Sequence, residues 1–273
     1  MSTITGRKKI TLNSLQALKQ QGKKFACITA YDATFAQLAS SAGIEVILVG
    51  DSLGMVVQGH DSTLPVTMED IEYHLRMVQR GNTGSLLMGD MPFMSYYSEG
   101  LSLENAAKLI RSGAQIVKLE GGAWIADSAR LLVERGIPVC AHMGLTPQSI
   151  NRFGGFRVQG RDPARAQSIL DEARLLQDAG VSLLLLEAVP LQLAQRVTEA
   201  LSIPVIGIGA GPHVDGQIMV MHDLLGITPP DIKTPKFVKN FLAESKTGIA
   251  GAFAAYAEAV KNGSFPGVEH SYE

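Results

Sequence analysis

Residues 46–51 read VILVGD, four aliphatic residues that run through a glycine onto an aspartate. The construction recurs along the chain. Leu86-Leu87-Met88-Gly89 runs into Asp90, and Ile116-Val117 leads through Lys118 and Leu119 to Glu120. Pro138-Val139-Cys140-Ala141 runs into His142, and Leu183-Leu184-Leu185-Leu186 runs into Glu187. Short aliphatic runs bounded by glycine, proline and helical stretches are the pattern of parallel strands buried on both faces. Parallel strands of one α/β layer all finish at the same face. If these runs share a sheet, four carboxylates, a lysine and an imidazole converge there. An enzyme's site has that composition.

The rest of the chain alternates in the same rhythm. Thr11 to Gln21 reads as a helix before the first strand, capped by Thr11 or Asn13, with Leu12, Leu15, Ala17 and Leu18 as its apolar stripe. Phe25 to Tyr31 is the first strand and Ala33 to Ala42 a helix stopped by Gly43. Val46 to Asp51 is followed by a long polar loop, Ser52 to Val66, and a helix from Met68 to Gln79. Helices near Leu103 to Arg111 and Ala123 to Arg135 follow the next two strands. The fifth strand, Ile137 to His142, feeds a second long loop from Met143 to Gly160. The helix from Pro163 to Ala179 then has proline in its first turn and Gly180 at its end. Leu183 to Glu187, a helix from Leu191 to Leu201 and the strand Pro204 to Ile208 complete seven units. Leu224 to Ile227 is the best candidate for an eighth strand, and Lys236 to Val260 reads as terminal helices. No Ser/Gly-rich linker interrupts residues 1–273, so a single domain is expected, with 1–10 as a flexible tail.

This number of βα units predicts a closed (β/α)8 TIM barrel with an N-terminal helix before the first strand and C-terminal helices. The rival is an open doubly wound sheet, which places ligands at one switch point. Against it, chemically useful residues end five strands in succession.

With a formal net charge of -2 and 18% charged residues, the chain carries no nucleic-acid footprint. Arg7, Lys8, Lys9, Lys23 and Lys24 read as a solvated face or tail. Cys27 and Cys140 lie inside apolar strands and are expected to be reduced, buried thiols. No apolar stretch approaches the ~18 to 20 residues needed to cross a bilayer. Residues 1–10 lack the apolar core of a signal peptide. A cytoplasmic protein without membrane attachment is therefore expected.

Asp51, Asp90 and Glu120 would repel one another at a shared rim unless a cation joined them. Hard oxygen ligands suit Mg²⁺, whereas zinc would recruit His or Cys. Each acid alone could instead cap the helix that follows it. Lys118 precedes Glu120 by two, so both point to one face of their strand, either as a structural ion pair or to bind an anionic substrate. Glu187 ends a strand of four leucines, a desolvated setting that suits a general base; the alternative is a cap for the helix from Leu191. His142 either donates to a substrate or bonds nearby backbone. Gly207-Ile208-Gly209-Ala210-Gly211 is either an anion cradle or a tight turn.

At these residues the chain resembles the ketopantoate hydroxymethyltransferase family. The matching words are ITAYD (28–32), LVGDSLGMVVQGHDSTLPVT (48–67), Asp90-Met91-Pro92-Phe93 and VKLEGG (117–122). HMGLTPQS (142–149), FGGFRVQGR (153–161), LLLLEAVP (183–190), VIGIGAG (205–211) and PKFVKNF (235–241) continue the match. Phe265-Pro266-Gly267 and Glu269-His270-Ser271 also look like the family; residues 1–10 and the loop Thr228 to Thr234 carry no claim. The resemblance implies a barrel of the phosphoenolpyruvate/pyruvate superfamily, assembled as a homo-oligomer, often a decamer. It implies one Mg²⁺ per subunit and 5,10-methylenetetrahydrofolate as one-carbon donor to 3-methyl-2-oxobutanoate. Carried over, Asp51, Asp90 and Glu120 match metal-site acids, and Asp51, Ser52, Asp90 and Lys118 match substrate contacts; His142 joins them as a further candidate substrate contact on the residue reading. Glu187 matches the proton acceptor. A folate-independent lyase of the same superfamily, or a barrel that has lost catalysis, would depart from these blocks or lack one of these acids; all are present.

Overall fold

The computed structural model describes residues 9–229 and 234–273. Residues 1–8 of the expected tail, and 230–233 of the loop at 228–234, lie outside them. Ile10, at the end of that tail, is tied by its N–H to Gly84 O at 2.8 Å.

The elements run α1 (Leu12–Gln20), β1 (Phe25–Thr29), α2 (Ala33–Ser41), β2 (Val46–Val49), α3 (Leu53–Val56) and α4 (Met68–Gly81). There follow β3 (Leu86–Asp90), α5 (Glu99–Arg111), β4 (Ile116–Glu120), α6 (Ala126–Glu134), β5 (Val139–Gly144) and α7 (Ile150–Phe153). The chain continues through α8 (Pro163–Asp178), β6 (Leu183–Glu187), α9 (Leu191–Ala200), β7 (Val205–Ile208), β8 (Gly216–Met219), α10 (Met221–Leu225) and α11 (Gly248–Asn262). All strand pairs are parallel and β8 closes on β1, giving the eight-stranded barrel that the alternation predicts.

Inward positions make the barrel graded along its axis. A buried interior cluster joins Phe25, Cys27, Val46, Leu48, Leu86, Met88, Ile116, Cys140, Leu183 and Leu185. Two residues further up the same faces of their strands come Asp90 after Met88, His142 after Cys140 and Glu187 after Leu185. On β4 the inward series is Ile116, Lys118, Glu120, so charge begins one layer lower. Both cysteines are free and buried, as their strand positions predict.

Helix α1 stoppers the opposite end. Thr11 caps it, accepting Ser14 N at 3.2 Å, and Leu15 is wholly buried in the interior cluster. Lys19 locks the helix in place through Asp215 at 2.8 Å and Thr198 O at 3.0 Å. At the other seam, the Tyr256 hydroxyl of α11 lies 2.9 Å from Cys27 O and 2.8 Å from Gln217 O, bridging β1 and β8.

Two expectations fail here. The eighth strand is Gly216–Met219, not Leu224 to Ile227; Leu224 and Leu225 belong to α10, which ends on left-handed Gly226 (φ 63°). The true strand is hard to read because it holds one β-branched residue and begins on a glycine. A Cβ at Gly216 would stand 2.5 Å from the Phe25 ring, so apolar bulk is excluded there. The terminal helices expected from Lys236 are a single long helix beginning at Gly248. Phe241 instead packs from irregular chain onto Tyr256 and Phe265, at centroid distances of 5.5 and 5.4 Å. Among the described residues, no helix is long and apolar enough to cross a membrane.

Leu15→Ala should open a cavity beneath the barrel and cost about 2–5 kcal/mol of unfolding free energy. Denaturant titration checks this, and a loss below 1 kcal/mol would show that α1 is not a structural stopper.

Candidate active site

The carboxyl ends of β2 to β6 bring the predicted residues together. Asp51 sits two residues past β2, and its backbone N–H donates to Asp90 Oδ2 at 3.0 Å. Asp90 also receives the Lys118 ammonium on both oxygens, each at 2.8 Å. Lys118 donates as well to Glu120 Oε1 at 3.0 Å, and the same oxygen faces His142 Nδ1 at 3.0 Å. His142 Nε2 lies 3.3 Å from Glu187 Oε2, close enough for an ion pair but not aligned as a hydrogen bond. A continuous line therefore runs Asp51, Asp90, Lys118, Glu120, His142, Glu187. Two of its links follow strand register, Asp90 with Lys118 and Glu120 with His142; the last climbs by two residues, since His142 pairs with Leu185 and Glu187 with Gly144.

Almost all of this is sealed from water. Asp51, Asp90, Lys118, Glu120 and His142 are each at most 4% exposed; Glu187 is the open end, its side chain 15% exposed. Burial opposes the Lys118 ammonium, but Asp90, Glu120 and Asp51 outweigh it and hold the lysine protonated. Glu120 is likewise penalised by burial, yet Lys118 and His142 take its carboxyl down to about 2. Burial disfavours imidazolium too, but Glu120 leads the contacts that raise His142 to about 9. Asp51 is pushed well up by burial and then by Asp90, and Asp90 is raised by burial against the pull of Lys118. Four carboxyl groups thus share two cations, Lys118 and His142, and burial works most strongly against ionisation at Asp51 and Asp90.

The alternative of the four acids as helix caps does not hold: α5 is capped by Ser98, and no side-chain cap bond is made at the start of α3, α6 or α9. Lys118 makes the buried ion pair that was weighed against anion binding. His142 bonds carboxylates rather than backbone. Ser52 is half-buried, with its hydroxyl 2.9 Å from the Tyr31 hydroxyl at the edge of the acid group. In the glycine run, Gly209 and Gly211 take φ of 58° and 78°, and a Cβ on them would strike Phe237 and Leu191 at 2.7 and 2.6 Å. Turn and packing therefore account for those glycines.

Sequence reading missed Gln148 and Tyr96. Gln148 Nε2 donates to Asp51 Oδ2 at 2.9 Å and Met91 O at 3.0 Å, and its backbone N–H donates to Glu120 Oε2 at 3.0 Å. The Tyr96 hydroxyl donates to Gln148 Oε1 at 2.6 Å. Both lie on βα loops, where no periodic signal marks an inward side chain; only the Pro147-Gln148-Ser149 word drew notice, as part of a longer block.

The donor set suits a hard divalent cation, because Asp51 and Asp90 bring carboxyl oxygens together in a buried site and no cysteine bonds to either. Among the described residues, however, no three His, Cys, Asp or Glu side chains are arranged as a ready metal cage. Glu120 explains this: Lys118, His142 and the Gln148 N–H already occupy both of its oxygens. Asp90 is engaged in the same way, by Lys118 on both oxygens and by the Asp51 N–H; of the three acids Asp51 is the one with no cation hydrogen-bonded to it among the described residues.

A family model described as ketopantoate hydroxymethyltransferase matches residues 9–268. A protein of Cronobacter sakazakii named 3-methyl-2-oxobutanoate hydroxymethyltransferase is 58% identical, covering 97% of this chain and 99% of that one. One of the same name from Marinobacter nauticus is 56% identical over the same shares. Among solved structures, a phosphonopyruvate hydrolase complexed with oxalate and Mg²⁺ superposes with a TM-score of 0.61 at 14% identity, over 80% of this chain and 83% of that one. A 2,3-dimethylmalate lyase of the phosphoenolpyruvate mutase/isocitrate lyase superfamily gives 0.55 at 17% identity, over 76% and 80%. These two likenesses speak for the fold alone.

Lys118→Met should leave Asp90 buried without a cation and Glu120 with His142 as its one cationic partner among the described residues, at a cost of about 3–5 kcal/mol. Thermal or denaturant unfolding measures it; unchanged stability would mean that the acids do not depend on this ammonium.

Proposed function

The chain belongs to the ketopantoate hydroxymethyltransferase family, and on that footing we propose that it transfers a hydroxymethyl group to 3-methyl-2-oxobutanoate from 5,10-methylenetetrahydrofolate, giving 2-dehydropantoate and tetrahydrofolate. The observation that carries the reading is the buried line of acids and cations ending on a half-open Glu187.

In this reading Glu187 takes the C3 proton of the 2-oxo acid. It is the one carboxylate of the group that reaches solvent, and no cation is hydrogen-bonded to it. The His142 imidazolium 3.3 Å away stabilises its charge before the proton arrives. The enolate carbon then bonds to the methylene carbon of the folate, whose carbon–nitrogen bonds break, with one water consumed to supply the new hydroxyl. A positioned base of this kind is worth about 10²- to 10⁴-fold in rate.

Asp51 and Asp90 would hold a Mg²⁺ ion; Glu120 could join them only by releasing a bond it now makes. Bound there, the ion would act as a Lewis acid on the oxygens of the 2-oxo acid. Lys118 favours the ionised form of Asp90 against the burial that opposes it, and adds positive potential where the substrate's charge develops. Ser52, held by Tyr31, borders the same space as a substrate contact. The loops 52–66 and 143–160 flank the rim and are suited to exclude water from the enolate. We place the protein in the cytoplasm as a homo-oligomer, with a decamer expected from its family.

Glu187→Gln should abolish exchange of the C3 proton of 3-methyl-2-oxobutanoate in deuterated buffer, followed by NMR, while the variant still binds that acid. Undiminished exchange would remove Glu187 as the base. Excess chelator should stop ketopantoate formation and added Mg²⁺ should restore it; activity that survives chelation would refute the metal.

A further inference from the structure

Asp51 has no ammonium of its own. The three N–H bonds of Lys118 go to Asp90 and Glu120, so the side-chain donor that reaches Asp51 is the neutral amide of Gln148. A neutral donor can orient a carboxylate without cancelling its charge, which is what a cation ligand requires.

The orientation of that amide is dictated by its surroundings. Its nitrogen faces two acceptors, Asp51 Oδ2 and Met91 O, and its oxygen faces the Tyr96 hydroxyl at 2.6 Å. Turning the amide over would set an oxygen against a carboxylate and a carbonyl. The Tyr96 hydroxyl is held in turn by the Glu120 N–H at 3.2 Å, and its ring is stacked on Trp124 at 5.6 Å and 15°. Gln148 and Tyr96 are 6% and 4% exposed, so both sit away from bulk solvent. The Gln148 N–H also fixes Glu120 Oε2, so one residue ties the β5 loop to the acids of two other strands.

We infer that Gln148, oriented by Tyr96, is the positioning residue that aims the Asp51 carboxylate for a divalent cation. This rests on the metal reading above. It places the determinant of cation affinity partly on the long loop after β5, so that loop order and metal affinity are coupled.

The test is titration calorimetry with Mn²⁺ on the full chain without substrate, alongside thermal unfolding. The unaltered protein should bind one Mn²⁺ per chain. Gln148→Met, similar in volume but without donors, should weaken that binding about tenfold or more, the range seen when an outer-shell partner is lost. Tyr96→Phe keeps the ring stacked on Trp124 but removes the donor that anchors the amide oxygen, loosening the Gln148 side chain, so it should weaken binding several-fold. A residue of merely structural importance would lower the unfolding temperature and leave the Mn²⁺ affinity of the folded protein unchanged; that result overturns the inference. Should Gln148→Met fail to fold, Tyr96→Phe decides alone, unchanged affinity counting against. If the unaltered protein binds no divalent cation, the metal reading itself falls and takes the inference with it. Tight binding in both variants sinks the inference only.

Discussion

One ammonium group makes the rest of this site possible. Lys118 lies inside the barrel directly above its apolar interior, and it reaches two carboxylates at 2.8 to 3.0 Å. Burying a charge costs several kcal/mol unless a partner compensates it in good geometry. Here each member compensates another, from Asp90 through Lys118 and Glu120 to His142. The site is thus a chain of mutual dependence, and its two ends differ. At Asp51 a carboxyl group has a neutral amide donor in place of a bonded cation, so a cation would offset the burial that opposes its ionisation; at Glu187 a carboxyl group reaches solvent.

The barrel supplies what such a chain needs. Inward side chains alternate with outward ones, so β3, β5 and β6 carry an apolar residue two places below the polar one, and β4 carries Ile116 two places below Lys118. The apolar layers exclude water from beneath, and α1 with Leu15 closes the far end. The charges consequently sit in a medium that strengthens every interaction among them. Strong mutual interaction is also why Glu120 is so acidic and His142 so basic in the same place.

The loops complete the arrangement rather than decorate it. Gln148 and Tyr96 come from loops after β5 and β3, yet they satisfy Asp51 and both the backbone and side chain of Glu120. Ala188, immediately after Glu187, holds a left-handed φ of 46° that a side chain rarely adopts, and its N–H is pinned to Ile208 O at 2.9 Å. Local strain of this kind persists where surrounding bonds over-determine the backbone, as they do beside the proposed base.

Much of this was legible in the amino-acid order. The bounds of β3, β4 and β6 match their runs, because a strand buried on both faces has to be continuously apolar until its functional end. The six side chains of the charged line were identifiable for the same reason: polarity at the end of such a run stands out. Strand β8 was not, since Gly216-Gln217-Ile218-Met219 gains its place by pairing with β1 and β7 and by yielding space to Phe25. By itself the sequence determined the βα alternation and which strand ends carry charge, both consequences of local periodicity and burial. Only the tertiary structure decided that Lys118 serves Asp90 and Glu120 together, that Glu120 is fully engaged, and that a loop glutamine steers Asp51. Those facts depend on which strands become neighbours when the barrel closes, and on where irregular loops return, neither of which any local pattern encodes.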